Sequence, residues 1–165
     1  MSHVECCKVA FKDIAAVKAA CEAMGLTFVE GKKHWSWWGS HAGDYPISDE
    51  MKEAGVTASN LGQCDHVIQV PGTSWEVGLW AMKNKPGSYM PLYDFYGSQG
   101  LPLQKALCKQ VPVSREFPRG LSVGLEKLAD AYSLEVLKSK ARMKGWQFQT
   151  AVVNGVTKLT VKVPN

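Results

Sequence analysis

Three β-rich runs set close together between residues 65 and 96 constrain this chain more than any other feature. They are Asp65-His66-Val67-Ile68-Gln69-Val70, Trp75-Glu76-Val77-Gly78-Leu79-Trp80-Ala81-Met82, and Ser88 to Tyr96. β-Branched and aromatic side chains dominate them, as strands favour. Pro71-Gly72-Thr73-Ser74 and Asn84-Lys85-Pro86-Gly87 fill the gaps with turn residues. Runs joined by such short turns pair as antiparallel hairpins. An antiparallel meander is therefore expected at the centre of the fold, and the flanking segments must cover it.

The flanks supply the cover. Residues 4–11 read as a first strand. Asp13 follows as an N-cap whose carboxylate can accept from free amides of the first helical turn. Ile14, Val17, Cys21 and Met24 recur at helical spacing, and Gly25 stops that helix as a left-handed residue would. Residues 26–30 return as a strand, and a short helix is expected at Asp49 to Ala54 within a loose stretch from Gly31 to Gly62. Residues 97–120, with three prolines and three glycines, read as an irregular connection. A long helix is expected over Ser122 to Lys144, with Leu125, Leu128, Tyr132, Val136 and Met143 along one stripe. The chain then makes two strands, Gln147 to Val153 and Thr157 to Val163, joined by Asn154-Gly155, a strong hairpin signal. The order predicts an α+β fold, residues 1–165 as a single domain, with two helices packed on one face of a mainly antiparallel sheet.

At 165 residues the chain is long enough to bury a core without disulfides or metal. The five cysteines (Cys6, Cys7, Cys21, Cys64 and Cys108) are odd in number and lack framework spacing. They read as reduced thiols of a cytoplasmic protein. No leader pattern opens the sequence, and no apolar run reaches membrane-spanning length. The net charge of +4 is uneven: residues 1–100 carry 8 basic and 11 acidic side chains, residues 101–165 carry 11 and 4. Arg115, Arg119, Lys138, Lys140, Arg142 and Lys144 make the C-terminal third a candidate surface for nucleic acid. The plainer reading is a solvated helix face, since these charges lack the aromatic interleaving of single-strand binders.

The second candidate surface is aromatic. His34-Trp35-Ser36-Trp37-Trp38-Gly39-Ser40-His41-Ala42-Gly43-Asp44-Tyr45 holds three of the six tryptophans and two of the four histidines. If 33–38 is extended, Lys33, Trp35 and Trp37 share one side, and His34, Ser36 and Trp38 the other. Trp75, Trp80, Tyr89 and Tyr93 would extend the first side. Such rings suit a nucleobase, a nucleotide or a cationic ligand, with His34, Trp35, Trp37, Trp38, His41, Asp44 and Tyr45 as contacts. The plainer reading is that they fill a core, and a mixture with Trp35 and Trp37 inside and Trp38 outside fits as well.

Other chemistry is thinner. His34, His41 and Asp44, or Cys64 and His66, are ligand types zinc accepts, but their spacing matches no zinc signature. Cys64 or Cys108 with His66, or a carboxylate pair of Glu76 and Asp94, would be the groups of a small hydrolase or transferase. Gly97-Ser98-Gln99-Gly100 lacks the lysine of a phosphate loop, and no dinucleotide fingerprint follows a strand, so no cofactor is expected.

Several features resemble the domain-of-unknown-function family that includes the plastid protein called hypothetical chloroplast reading frame thirty-five. They are the opening Met1-Ser2-His3, the Asp13 helix ending at Gly25, Asp65-His66-Val67-Ile68, and Glu76-Val77-Gly78. Tyr93-Asp94-Phe95, Leu128-Ala129-Asp130-Ala131-Tyr132, Gly145 and Asn154-Gly155 complete the set. The resemblance implies a small cytosolic domain of a bacterium, its virus or an algal plastid. It implies no catalytic residue. The tryptophan segment and residues 97–120 depart from that pattern.

Together these readings favour a non-enzymatic binding protein that takes a nucleotide-like small molecule or a partner protein on the aromatic segment. A nucleic-acid binder using the basic third is the alternative, and a small hydrolase or transferase the second alternative. An exposed tryptophan patch would also favour a homodimer.

Overall fold

The computed structural model describes residues 4–39 and 47–164. Among them, in order, are β1 (Val4–Cys6), α1 (Ile14–Ala23), β2 (Thr27–Glu30), α2 (Asp49–Glu53), β3 (His66–Gln69), β4 (Glu76–Ala81) and β5 (Tyr89–Asp94). Then come α3 (Gly97–Leu107), α4 (Glu126–Met143), β6 (Gln147–Val153) and β7 (Val156–Lys162). The meander is present: β3, β4 and β5 are adjacent in a five-stranded sheet of order β1-β5-β4-β3-β2. Every pairing in it is antiparallel. The fold is α+β, as the sequence implies.

Local signals explain most boundaries. The Asp13 carboxylate accepts from Ala16 N–H at 3.0 Å. At the other end of α1, Gly25 has φ +70° and Leu26 N–H reaches back to the Cys21 carbonyl at 2.8 Å. That six-to-one bond closes the helix. The first strand is shorter than expected, and its partner explains why. Cys7 N–H donates to the Pro91 carbonyl at 3.1 Å, but Pro91 has no N–H to return. The chain leaves the ladder over Lys8, Val9 and Ala10, then rejoins at Phe11, which exchanges bonds of 2.9 and 2.7 Å with Tyr89.

The alternating residues of the sheet feed two cores. On one face Ile68, Val77, Leu79 and Tyr93 pack against α1, α3 and α4, through Val17, Leu103, Leu107 and Leu128 among others. On the other, Val67, Met90 and Leu92 meet Trp35, Val56, Cys64 and Met51 of α2. The two expected helices, α1 and α4, do lie together on one face. α3 joins them from the stretch expected to be irregular. Its Gly100 passes so near Phe95 that a Cβ would fall on the Phe95 backbone, and Pro102 sits inside the helix. Those breakers are what hide α3 from a propensity reading.

α4 starts at Glu126, later than expected, because Leu125 takes a left-handed φ of 55°. Leu125, Leu128 and Tyr132 are buried as the stripe predicts, but Met143 is 84% exposed and Ala141 is the last buried residue. Beyond it, β6 and β7 form a separate two-stranded sheet with Val153 opposite Val156. Asn154 and Gly155 both have positive φ, 52° and 73°, as a type I′ turn requires. Only Phe148 and Leu159 of these strands are partly buried. No helix among the described residues is long and apolar enough to cross a membrane.

Candidate functional site

The aromatic segment is a strap over the second face of the sheet. Trp35 N–H donates to the Gly62 carbonyl at 3.1 Å, and Ser36 N–H to Glu76 Oε2 at 2.8 Å. Trp35 lies over β4, where a Cβ on Gly78 would come within 2.5 Å of the indole. It is 4% exposed, and its Nε1 finds no acceptor among the described residues. Trp37 is half-buried and stacks on it with centroids 5.4 Å apart and planes at 21°. Trp38 is 54% exposed and meets Tyr96 edge-on at 5.9 Å. The alternation expected of an extended chain is therefore present, with Trp35 and Trp37 turned inward. His34 is exposed and bridges to Gln63. His41, Asp44 and Tyr45 lie outside the described residues.

Of the other rings expected on this side, Trp80 alone joins it. Trp75, Tyr89 and Tyr93 belong to the helix-covered core. Trp80 is on the strap side, with its Nε1 bonded to the Ala54 carbonyl at 2.9 Å. The sheet separates the two sets.

The candidates Cys64 and His66 are likewise divided. Cys64 precedes β3 and packs in the strap-side core, whereas the His66 ring meets Phe28 and Tyr89 on the helix side. The expectation that both share one face fails because strand alternation starts only at His66. Burial pushes the Cys64 and Cys108 thiols up to about 12, and nearby Asp65 adds to the effect at Cys64. Neither is activated as a nucleophile would be. Glu76 is 4% exposed, and its carboxylate accepts from Lys32 Nζ at 2.6 and 2.8 Å, Gln69 Nε2 at 2.7 Å and Ser36 N–H. Burial raises its pKa, but those donors outweigh burial and hold it below the usual value. Asp94 accepts from Tyr96 N–H at 2.8 Å. Glu76 is thus an anchor for the strap. Among the described residues no group of three His, Cys, Asp or Glu side chains could hold a metal ion.

The basic third divides too. Arg119 Nη1 donates to the Phe95 carbonyl at 2.7 Å and to Gln104 Oε1 at 3.2 Å, bracing α3. Lys138 pairs with Glu135 at 2.6 Å. Arg115 is exposed in the 108–125 connection. Lys140, Arg142 and Lys144 are exposed at the C-terminal end of α4, where cations also complement the helix dipole. Here the sequence reading is corrected: aromatic rings do interleave with these charges. The Arg142 guanidinium lies 5.3 Å from the Phe148 centroid, and Lys144 Nζ 4.5 Å from Trp146.

The exposed ribbon adds residues that sequence reasoning missed. Its register pairs Gln147 with Lys162, Gln149 with Thr160 and Ala151 with Lys158. Directly opposed residues share a face, so Gln147, Gln149, Lys158, Thr160 and Lys162 project together. Phe148, Val152, Leu159 and Val161 take the other side. A recess of about 290 Å³ opens among Trp146, Gln147, Phe148, Gln149, Thr160 and Lys162. The signal was available, because Asn154-Gly155 fixes a two-residue loop and hence this register.

The chain matches no family model, and no curated protein or solved structure is significantly similar to it.

Proposed function

We propose that this chain is a nucleic-acid-binding protein that reads duplex DNA with the β6–β7 ribbon. One observation carries the reading: a two-stranded ribbon outside both buried clusters presents Gln147, Gln149, Lys158, Thr160 and Lys162 on one face, and Lys140, Arg142 and Lys144 are exposed at the end of α4 that β6 contacts. Seven residues per strand span roughly 24 Å. The major groove, about 12 Å wide, admits such a ribbon. Glutamine can pair with adenine, and threonine can contact the thymine methyl. Lys140, Arg142, Lys144, Lys158 and Lys162 suit phosphates, which position without reading sequence. Free thiols at all five cysteines suit a reducing, cytoplasmic setting.

The test is fluorescence anisotropy with a labelled mixed-sequence duplex over a range of salt. Five lysine and arginine contacts predict a slope of log K against log salt near about −4.5. Replacing Lys158 and Lys162 together with alanine should make that slope shallower by about 2. A flat salt dependence, or unchanged affinity in the double variant, rejects the reading. Equal or tighter binding to single-stranded DNA or RNA would move the function to a different nucleic acid.

The reading that places a nucleotide-like ligand or protein partner on the aromatic segment has less support. Trp35 and Trp37 are committed to the core, and of the three tryptophans only Trp38 is exposed. That exposure also gives little surface for a tryptophan-based homodimer.

A further inference from the structure

A cleft of about 980 Å³ follows the β1 edge of the sheet. Its floor is β1 and the looped-out residues Lys8, Val9 and Ala10. Ser48, Glu50 and Met51 line one wall, and Phe117, Ser122 and Glu126 the other. That volume lies at the top of the range for ligand pockets.

Among the described residues β1 has a neighbour on one side only. Because Cys7 N–H points inward to Pro91, antiparallel alternation also points the backbone of Glu5 toward β5. The N–H and carbonyl groups of Val4 and Cys6 then face the cleft. An edge of this kind is a template for another strand. Charge specifies which strand. Glu5, Glu50, Glu53 and Glu126 line the cleft against Lys8 and Lys85. Burial, and then the neighbouring Asp94, push the Glu5 carboxyl above its usual value. A cation entering beside it would be favoured.

We propose that this cleft docks an extended, lysine- or arginine-bearing segment of a partner protein, added as a sixth strand along β1. Main-chain bonds to Val4 and Cys6 would supply register, as in strand addition generally. Alternate side chains would reach the two walls, where Glu50 and Glu126 stand on opposite sides of the edge.

The experiment is calorimetric titration of the full chain with an acetylated peptide of eight residues alternating lysine and valine. Two controls accompany it: a peptide alternating glutamate and valine, and the lysine peptide methylated on alternate backbone nitrogens. Glu50→Lys with Glu53→Lys reverses two exposed charges in the cleft. The expected result is binding of the lysine peptide alone, weakened at least tenfold by backbone methylation and by the double variant. Failure of the lysine peptide to bind overturns the proposal. So does equal binding of the glutamate peptide, or indifference to methylation.

Discussion

Glu76 and Gly78, two residues apart on β4, hold the tryptophan strap by opposite means. Glu76 supplies three partners with one buried carboxylate, and Gly78 supplies the absence of a side chain beneath Trp35. Gly78→Ala should destabilise the fold by roughly 1–3 kcal/mol, since an added methyl forces the indole away. Glu76→Ala should cost about 3 kcal/mol, because Lys32, Gln69 and the Ser36 amide lose their acceptor. Both are measured by urea unfolding. A lowered folded pKa also sets a sign. The Glu76 contribution is fully present above the unfolded value, near about 4.3, and is lost as pH falls through the lower folded value. Glu76→Gln should therefore flatten the acid side of the stability profile. Glu5 has the opposite sign: its raised pKa means that its charge opposes folding at neutral pH. Glu5→Gln should raise the unfolding midpoint at pH 7 and have no effect well below pH 4.

Among elements, the ribbon depends on its turn. Asn154 holds φ 52°, and a residue without asparagine's local hydrogen bonding pays roughly 1–2 kcal/mol there. Asn154→Val should weaken DNA binding while leaving unfolding of the five-stranded sheet within about 0.5 kcal/mol. Circular dichroism and anisotropy on one sample check both halves. This turn, the meander and the α1 caps were legible in the sequence because each is written in adjacent residues. The length of β1 was not, since the residue that ends it, Pro91, lies on another strand. α3 was hidden by Gly97, Gly100 and Pro102, whose usual meaning is a break; at Gly100 the reason is instead the Phe95 backbone. The inward turn of Trp35 and Trp37 was the plainer of two readings, and Gly78 and Glu76 beneath them are what decide it. The pairing of Arg142 with Phe148 needed the return of β6 along the end of α4.

For the molecule as a whole, the cores and the proposed DNA surface are largely separate. The buried clusters draw nothing from β6 or β7. A chain ending at Gly145 should accordingly keep a cooperative thermal transition within a few degrees of the full chain and lose its affinity for DNA. A collapse of the transition would show that the ribbon is part of the folding unit. The charge balance follows the same division, with excess positive charge after residue 100 and carboxylates around the β1 cleft. Higher salt should weaken both proposed interactions, each through its own set of charges. The stacked pair Trp35 and Trp37 gives a way to watch the strap meanwhile. Two indoles at 5.4 Å couple their electronic transitions, so the chain should show an exciton couplet in circular dichroism that disappears when either ring is replaced by leucine. During a titration with DNA or peptide, a constant couplet would mean that the strap stays seated while the ligand binds.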